Sequence, residues 1–100
     1  MIKETIEMWK SRLGLERWDI IAEEISRDQV VFPKNMPKKD KYFVGIEVDR
    51  ENLIGVIYHD RELTEGDIIH ELLHVGWETA TEDTVNRLTE LFLNNFKTCL

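Results

Sequence analysis

The chain has 100 residues, 42% of them hydrophobic and 33% charged, and this length fits one compact domain rather than a multidomain enzyme. Thirteen Lys and Arg residues against 20 Asp and Glu residues give a net charge of −7, so nucleic acids and anionic lipid surfaces are repelled on average. No apolar stretch is long enough to cross a bilayer, and the amino terminus lacks the apolar core of a signal peptide. With one cysteine and no internal disulfide, we expect a single cytoplasmic domain, residues 1–100, that does not bind nucleic acid or insert into membranes.

The first half of the chain predicts one helix, one strand and a long loop. Apolar residues recur at helical spacing over residues 3–13, and Gly14 follows at the position of a left-handed C-cap. The dense apolar run Trp18–Ile25 predicts the first strand. The segment Pro33–Lys41 contains two prolines and four lysines, a composition that predicts a loop.

Two further strands are predicted to form a hairpin. Apolar and other residues alternate from Tyr42 to Val48, which predicts a strand with one buried face. The polar segment Asp49–Asn52 predicts the turn, and the nearly unbroken apolar run Leu53–Tyr58 predicts a strand that is covered on both faces. Together with the first strand, this hairpin predicts a small, three-stranded, mainly antiparallel sheet.

Two helices are predicted after the sheet. Thr64, with Asp67 three residues later, has the spacing of a capping box and predicts the start of a helix that Gly76 ends or bends. Thr79 or Thr81 then caps a final helix, whose apolar positions recur at helical spacing: Val85, Leu88, Leu91, Phe92 and Phe96. The predicted fold class is therefore α+β, with an amino-terminal helix, a small sheet and two final helices.

The segment His70-Glu71-Leu72-Leu73-His74 matches the pattern HExxH. Residues four apart project from the same face of a helix, so the imidazoles of His70 and His74 can share one metal ion. Glu71 is turned by about 100° from His70 and could bond a metal-bound water instead of the metal. Chance predicts this pattern about 0.01 times in a chain of this composition, so composition alone does not explain it. The motif therefore predicts one catalytic zinc ion, with Glu71 as the catalytic residue.

A catalytic zinc ion usually takes three protein ligands and a water, so a third ligand is needed. On a continuous helix the Cα atom of Glu78 would lie about 12 Å from that of His70, which is too far for one ion. Beyond Gly76, however, the chain can turn and bring the final helix back across the motif.

Among the acidic residues of the final helix, Glu82 is the best candidate for the third ligand. On a helical wheel, Glu82 lies near the edge of the apolar face, whereas Asp83 and Glu90 lie closer to the solvated side. Asn86, one turn beyond Glu82, could donate a hydrogen bond to its carboxylate. The predicted metal ligands are therefore His70, His74 and Glu82.

The HELLH segment, followed by a helix that begins Glu82-Asp-Thr-Val-Asn86, resembles a minimal gluzincin. The length, the element order and the position of the motif are similar to those of the minigluzincins of thermophilic prokaryotes over essentially the whole chain. The resemblance implies a single zincin-like metallopeptidase domain in which His70, His74 and Glu82 hold zinc. It also implies hydrolysis of peptide bonds by a zinc-activated water with Glu71 as general base, a peptide or protein substrate, and synthesis as a latent zymogen.

Other residues acquire expected roles from this resemblance. Zincins pair an extended substrate with the edge strand before the motif helix, and Leu53–Tyr58 is the run placed for that pairing. They also use a Tyr or His to stabilise the oxyanion, and the candidates outside the motif are Tyr42, Tyr58 and His59. Cys99 or the terminal carboxylate could reach back to the zinc ion and keep the enzyme latent.

Two alternative functions stay open at this point. The pattern Glu82-x-x-Val-Asn86 also resembles the third-ligand helix of phage and bacterial proteases that cut repressors, so a regulator-cleaving metalloprotease is the alternative enzyme. A catalytically silent zinc-binding module that serves an interaction is the alternative from another class. The sequence determines neither the substrate nor the oligomeric state, and it leaves a homodimer open.

Overall fold

The computed structural model describes residues 2–26 and 44–97. The described elements are, in chain order, α1 (Ile2–Arg12), β1 (Asp19–Glu24), β2 (Val44–Asp49), β3 (Ile54–His59), α2 (Glu65–Gly76) and α3 (Glu82–Lys97). This order confirms the predicted α+β class, with one helix, a small sheet and two final helices. The predicted loop Pro33–Lys41, as well as Tyr42 and Cys99, lies outside the described residues.

The end of α1 follows the prediction made from its glycine. Gly14 has a φ of 74°, in the left-handed region that favours glycine. The Leu15 amide donates to the carbonyl of Lys10 at 2.8 Å, and the Gly14 amide donates to the carbonyl of Ser11 at 3.3 Å. These two bonds form a Schellman motif, which ends the helix and turns the chain toward β1.

The sheet is mixed, so the prediction of a mainly antiparallel sheet is wrong. Its strand order is β1-β3-β2, with β1 parallel and β2 antiparallel to β3. The predicted hairpin is confirmed: β2 and β3 are joined at Asp49–Asn52, where the Asn52 amide donates to the Asp49 carboxylate at 3.2 Å. Along the chain, β2 lies between β1 and its parallel partner β3. Local sequence patterns carry no signal for such a long-range pairing.

The central position of β3 accounts for its apolar run. Strands flank it on both sides, and its two faces differ in burial: Gly55, Ile57 and His59 are buried, whereas Val56 and Tyr58 are half-buried and Ile54 is 39% exposed. The prediction of cover on both faces therefore holds fully for one face and only in part for the other. The prediction that Leu53–Tyr58 is the edge strand for a substrate is wrong, because β1 and β2 occupy both of its edges. Among the described strands, the edges of the sheet are β1 and β2.

The motif helix α2 lies at the centre of the core. It packs against α1, β2 and α3, and its buried face consists of Ile68, Ile69, Leu72, Leu73 and Val75, none of them more than 1% exposed. Trp9 of α1 and Val85 of α3 are fully buried beside this face. Packing on several sides makes α2 a rigid support for the side chains on its remaining face. No helix in residues 2–26 or 44–97 combines the length and the apolar character needed to cross a bilayer.

Candidate metal centre

The start of α2 is determined by the predicted capping box, which is confirmed. The Thr64 hydroxyl accepts from the Asp67 amide at 3.1 Å, and the Asp67 carboxylate accepts from the Thr64 amide at 2.8 Å. Arg61 binds the same carboxylate with both terminal nitrogens. Burial raises the pKa of Asp67, but the hydrogen bonds from Arg61 and Thr64 outweigh burial and hold this pKa below its usual value. Asp67 is therefore ionised and accepts hydrogen bonds from both Arg61 and Thr64. These bonds fix the first turn of α2 and so the directions in which its side chains project.

The two histidines of the motif lie side by side on α2, as predicted. The Nε2 atoms of His70 and His74 are 3.2 Å apart, and their ring centroids are 4.9 Å apart. Their side chains are 22% and 24% exposed, so solvent reaches both rings. The helical spacing thus brings two nitrogen donors together at an accessible surface.

The first residue of α3 completes the cluster. The Thr81 hydroxyl accepts a hydrogen bond from the amide three residues later at 3.2 Å, so Thr81 rather than Thr79 caps this helix. The carboxylate oxygens of Glu82 lie 2.8 Å from Nε2 of His74 and 3.2 Å from Nε2 of His70. The Glu82 side chain is 69% exposed, so the cluster is open on that side. All three predicted ligands therefore meet at one point.

The geometry of these three side chains fits a tetrahedral zinc ion. One ligand atom from each of His70, His74 and Glu82 lies within 4.8 Å of the other two. Two nitrogens bonded to one tetrahedral zinc ion would lie about 3.3 Å apart, given zinc–nitrogen bonds of about 2.0–2.1 Å. The two histidine nitrogens lie 3.2 Å apart, so little movement would be needed to bind the ion. Two imidazoles and one carboxylate also form a common donor set of catalytic zinc sites, which keep one position open.

Glu71 lies next to the cluster, but its carboxylate is not one of the three converging groups. Its side chain is buried, with the residue only 7% exposed. Burial, followed by the charges of Glu82 and Asp67, raises the pKa of Glu71 to about 8. The structure therefore places a buried carboxyl group with a raised pKa beside the cluster.

An open cleft of about 440 Å³ adjoins the cluster. His70 and Glu71 line one part of it, and the rest is lined by residues of β2, of the connection from β3 into α2, of the first turn of α2, and of α3: Val44, Arg61, Thr64, Gly66, Asp67, Thr89, Glu90 and Leu93. Val44 is the first residue of β2, an edge strand among those described. The cleft therefore leads from the candidate metal centre to an edge of the sheet.

Several other predicted residues lie away from this cleft. The Tyr58 hydroxyl donates to Glu47 at 3.0 Å on the outer face of the sheet, and this hydrogen bond is the main cause that raises the pKa of Tyr58. His59 is buried, and its Nδ1 lies 2.7 Å from the carbonyl oxygen of Arg61. Neither side chain lines the cleft, so neither fits the expected oxyanion role. Within residues 2–26 and 44–97, Asn86 makes no hydrogen bond to the ligand carboxylate, so that prediction is wrong.

Two arginines near the site were missed by the sequence reasoning. Arg61 holds Asp67 at the start of α2, and Arg50 donates to the carbonyls of His74 and Val75 at its end. Arg50 lies in the turn between β2 and β3, far from its partners along the chain. An arginine in a turn has no spacing pattern that would reveal such a contact.

Nothing outside the chain itself assigns this centre. Comparison with family models, with curated proteins and with solved structures finds no match. The evidence for a function is therefore the geometry of the site: two imidazoles and a carboxylate that converge beside a buried glutamate and an open cleft.

Proposed function

We propose that this protein is a zinc-dependent peptidase of the gluzincin type, similar to the minigluzincins. The observation that carries the proposal is the convergence of His70, His74 and Glu82 next to the buried carboxyl group of Glu71. Imidazole nitrogens and a carboxylate oxygen suit zinc, and the exposed side of the cluster suits a catalytic ion better than a fully enclosed structural one.

Each residue of the site has a distinct part in the proposed reaction. A zinc ion bound here would polarise a peptide carbonyl and make water a stronger acid. His70 and His74 would each offer one imidazole nitrogen to the ion, and Glu82 would offer a carboxylate oxygen. A carboxylate oxygen of Glu71 accepts the proton that the attacking water loses and delivers it to the nitrogen of the leaving amine. Since the charge of Glu82 helps to raise the pKa of Glu71, a cation bound to Glu82 favours the ionised base.

An extended peptide is the substrate class that the cleft supports. β2 is hydrogen-bonded along one edge to β3, and no described strand pairs with its other edge. Because Val44 of β2 lines the same cleft as His70 and Glu71, a peptide added along this edge would pass beside the proposed centre. We therefore assign to β2 the substrate pairing that was expected of Leu53–Tyr58.

The decisive test of the reaction is the Glu71→Ala substitution. The wild-type and variant proteins are compared on unfolded protein and on fluorogenic peptides, and the zinc content of each is measured. We expect the variant to retain zinc and to lose cleavage by a factor of about 10²–10⁴, the usual contribution of a general base. Equal cleavage by the two zinc-loaded proteins would refute the peptidase proposal. Zinc binding without cleavage by either protein would favour an interaction module.

The ligand assignment has its own matched pair of variants. Glu82→Ala removes a member of the cluster, whereas Asp83→Ala removes the same charge at the next position, outside the cluster. We expect Glu82→Ala to weaken zinc binding by more than the roughly 10–100-fold that loss of an outer partner costs, and Asp83→Ala to change it little. Equal zinc affinities of the two variants, measured by competition with a chelator, would show that Glu82 is not a ligand.

A further inference from the structure

Arg50 holds the carboxyl-terminal end of the motif helix α2. Its two terminal nitrogens donate to the carbonyl oxygens of His74 at 3.1 Å and of Val75 at 2.9 Å. The preceding carbonyl, that of Leu73, accepts from the amide of Trp77 at 2.8 Å. The last carbonyls of a helix have no partner within the helix. One guanidinium therefore bonds two successive carbonyls that α2 leaves open, and the first of them belongs to a predicted zinc ligand.

The Arg50 guanidinium is held by two further groups. Its Nε atom lies 3.0 Å from a carboxylate oxygen of Glu78, and its central carbon lies 5.9 Å from the centre of the Trp18 ring. Its positive charge also interacts favourably with the negative end of the helix dipole. Arginine suits this position because its planar group can bond two carbonyls and a carboxylate together, whereas a lysine ammonium cannot reproduce that geometry.

We propose that Arg50 is a positioning residue of the metal centre, and this inference rests on the proposed zinc site. His74 lies only two residues before Gly76, the last residue of α2, and helix ends fray readily. By bonding the carbonyl of His74, Arg50 keeps the main chain of this residue in place and its imidazole in register with His70 and Glu82. Metal sites require ligands held to within about 0.5 Å, so a looser end of α2 would lower zinc affinity.

The sign of the effect separates positioning from simple electrostatics. Arg50 is a cation near the proposed zinc site, so loss of its charge alone would strengthen zinc binding. Loss of its hydrogen bonds to the carbonyl of His74 would weaken zinc binding. A weaker zinc affinity in a variant that lacks this charge therefore reports positioning.

The test uses the full chain as the wild type and as the Arg50→Gln, Arg50→Lys and Arg87→Gln variants. Arg87 is an exposed residue of α3 and serves as the control for loss of one positive charge. Zinc affinity is measured by competition with a chromophoric chelator, and ligand geometry by the visible spectrum of the cobalt(II) form. We expect Arg50→Gln to lower zinc affinity about tenfold and to alter the cobalt spectrum. Arg50→Lys should lower zinc affinity by a smaller factor and alter the spectrum less. Arg87→Gln should change neither the affinity nor the spectrum.

Each outcome decides the inference, and wild-type cleavage is measured in parallel. If the wild type binds zinc but cleaves no peptide, the peptidase proposal fails, while the zinc affinities of the variants still decide the role of Arg50. If Arg50→Gln binds zinc as tightly as Arg87→Gln, the inference is overturned and the peptidase proposal is unaffected. A wild type that binds no zinc overturns both. If circular dichroism shows that Arg50→Gln does not fold, wild-type zinc affinity and an unchanged cobalt spectrum in Arg50→Lys overturn the inference.

Discussion

The buried carboxyl group of Glu71 should make the metal-free protein less stable as the pH rises. Glu71 is 7% exposed, and burial, followed by the charges of Glu82 and Asp67, raises its pKa from 4.5 to about 8. Between these two values the folded protein holds a proton that the unfolded chain releases. The free energy of unfolding therefore falls with rising pH throughout this window. It levels off above about pH 8, where Glu71 is ionised in both the folded and the unfolded state.

The magnitude follows from the width of this window. Each pKa unit corresponds to about 1.4 kcal/mol, so at pH 7 the raised pKa costs the folded protein about 3 kcal/mol relative to its fully protonated form. At pH 5 the cost is below about 1 kcal/mol. Glutamine has nearly the same shape as protonated glutamate and does not ionise. We therefore expect Glu71→Gln to be more stable than the wild type by about 3 kcal/mol at pH 7, and by much less at pH 5.

Urea unfolding of the metal-free proteins at pH 5, 6 and 7, with a chelator present, measures this difference. Glu90→Gln is the control, since Glu90 is an exposed carboxylate that lines the same cleft. The groups that the wild type and Glu71→Gln share contribute equally and cancel in the difference. Added zinc should reduce the difference, because a cation on Glu82 opposes one cause of the raised pKa. Parallel pH curves for the wild type and Glu71→Gln would refute the reasoning.

Three further substitutions test the helix caps and the outer face of the sheet. Gly14→Ala should destabilise the protein by about 1–2 kcal/mol in urea unfolding, because alanine is strained at a φ of 74°. The added methyl group would meet no atom within 4 Å, so no steric clash adds to this cost, and unchanged stability would contradict the backbone argument. Thr64→Ala should cost about 1 kcal/mol through loss of the cap of α2, and exposed Thr79→Ala, its control, should cost much less; equal losses would count against the capping box. Tyr58→Phe should leave zinc affinity and peptide cleavage unchanged, because its hydroxyl bonds Glu47 away from the cleft, and lost cleavage with zinc retained would return Tyr58 to the list of oxyanion candidates.

The parts of this fold that depend on neighbouring residues could be predicted from the sequence. Gly14 marks the end of α1 because the Schellman bonds join residues within one turn. Thr64 marks the start of α2 for the same reason. The convergence of His70, His74 and Glu82 could also be predicted, because the two histidines share one helical face and the wheel of α3 favours Glu82.

Features that depend on distant contacts could not be predicted in this way. No sequence pattern in or next to β1 identifies β3 as its partner. This pairing makes the sheet mixed and places β3 at its centre. Alternation shows that Ile57 and Tyr58 face opposite sides of the sheet, but not which side α1 and α2 cover. The contact from Arg50 to the end of α2 likewise exists only because the β2–β3 turn lies beside that helix in the folded chain.

The short connection between α2 and α3 has a consequence for the energetics of a bound ion. Glu82 follows His74 by only eight positions, and residues 77–81 form the whole link between the two helices. A zinc ion bound to both His74 and Glu82 would close a short loop of the chain. Closing so short a loop costs little chain entropy, so little of the binding free energy would be lost in ordering the link. A zinc ion here would also cross-link α2 to α3, so the helices could not separate without releasing it. Resistance of the 77–81 link to limited proteolysis would then rise with zinc occupancy, which offers a readout of the metal that needs no substrate.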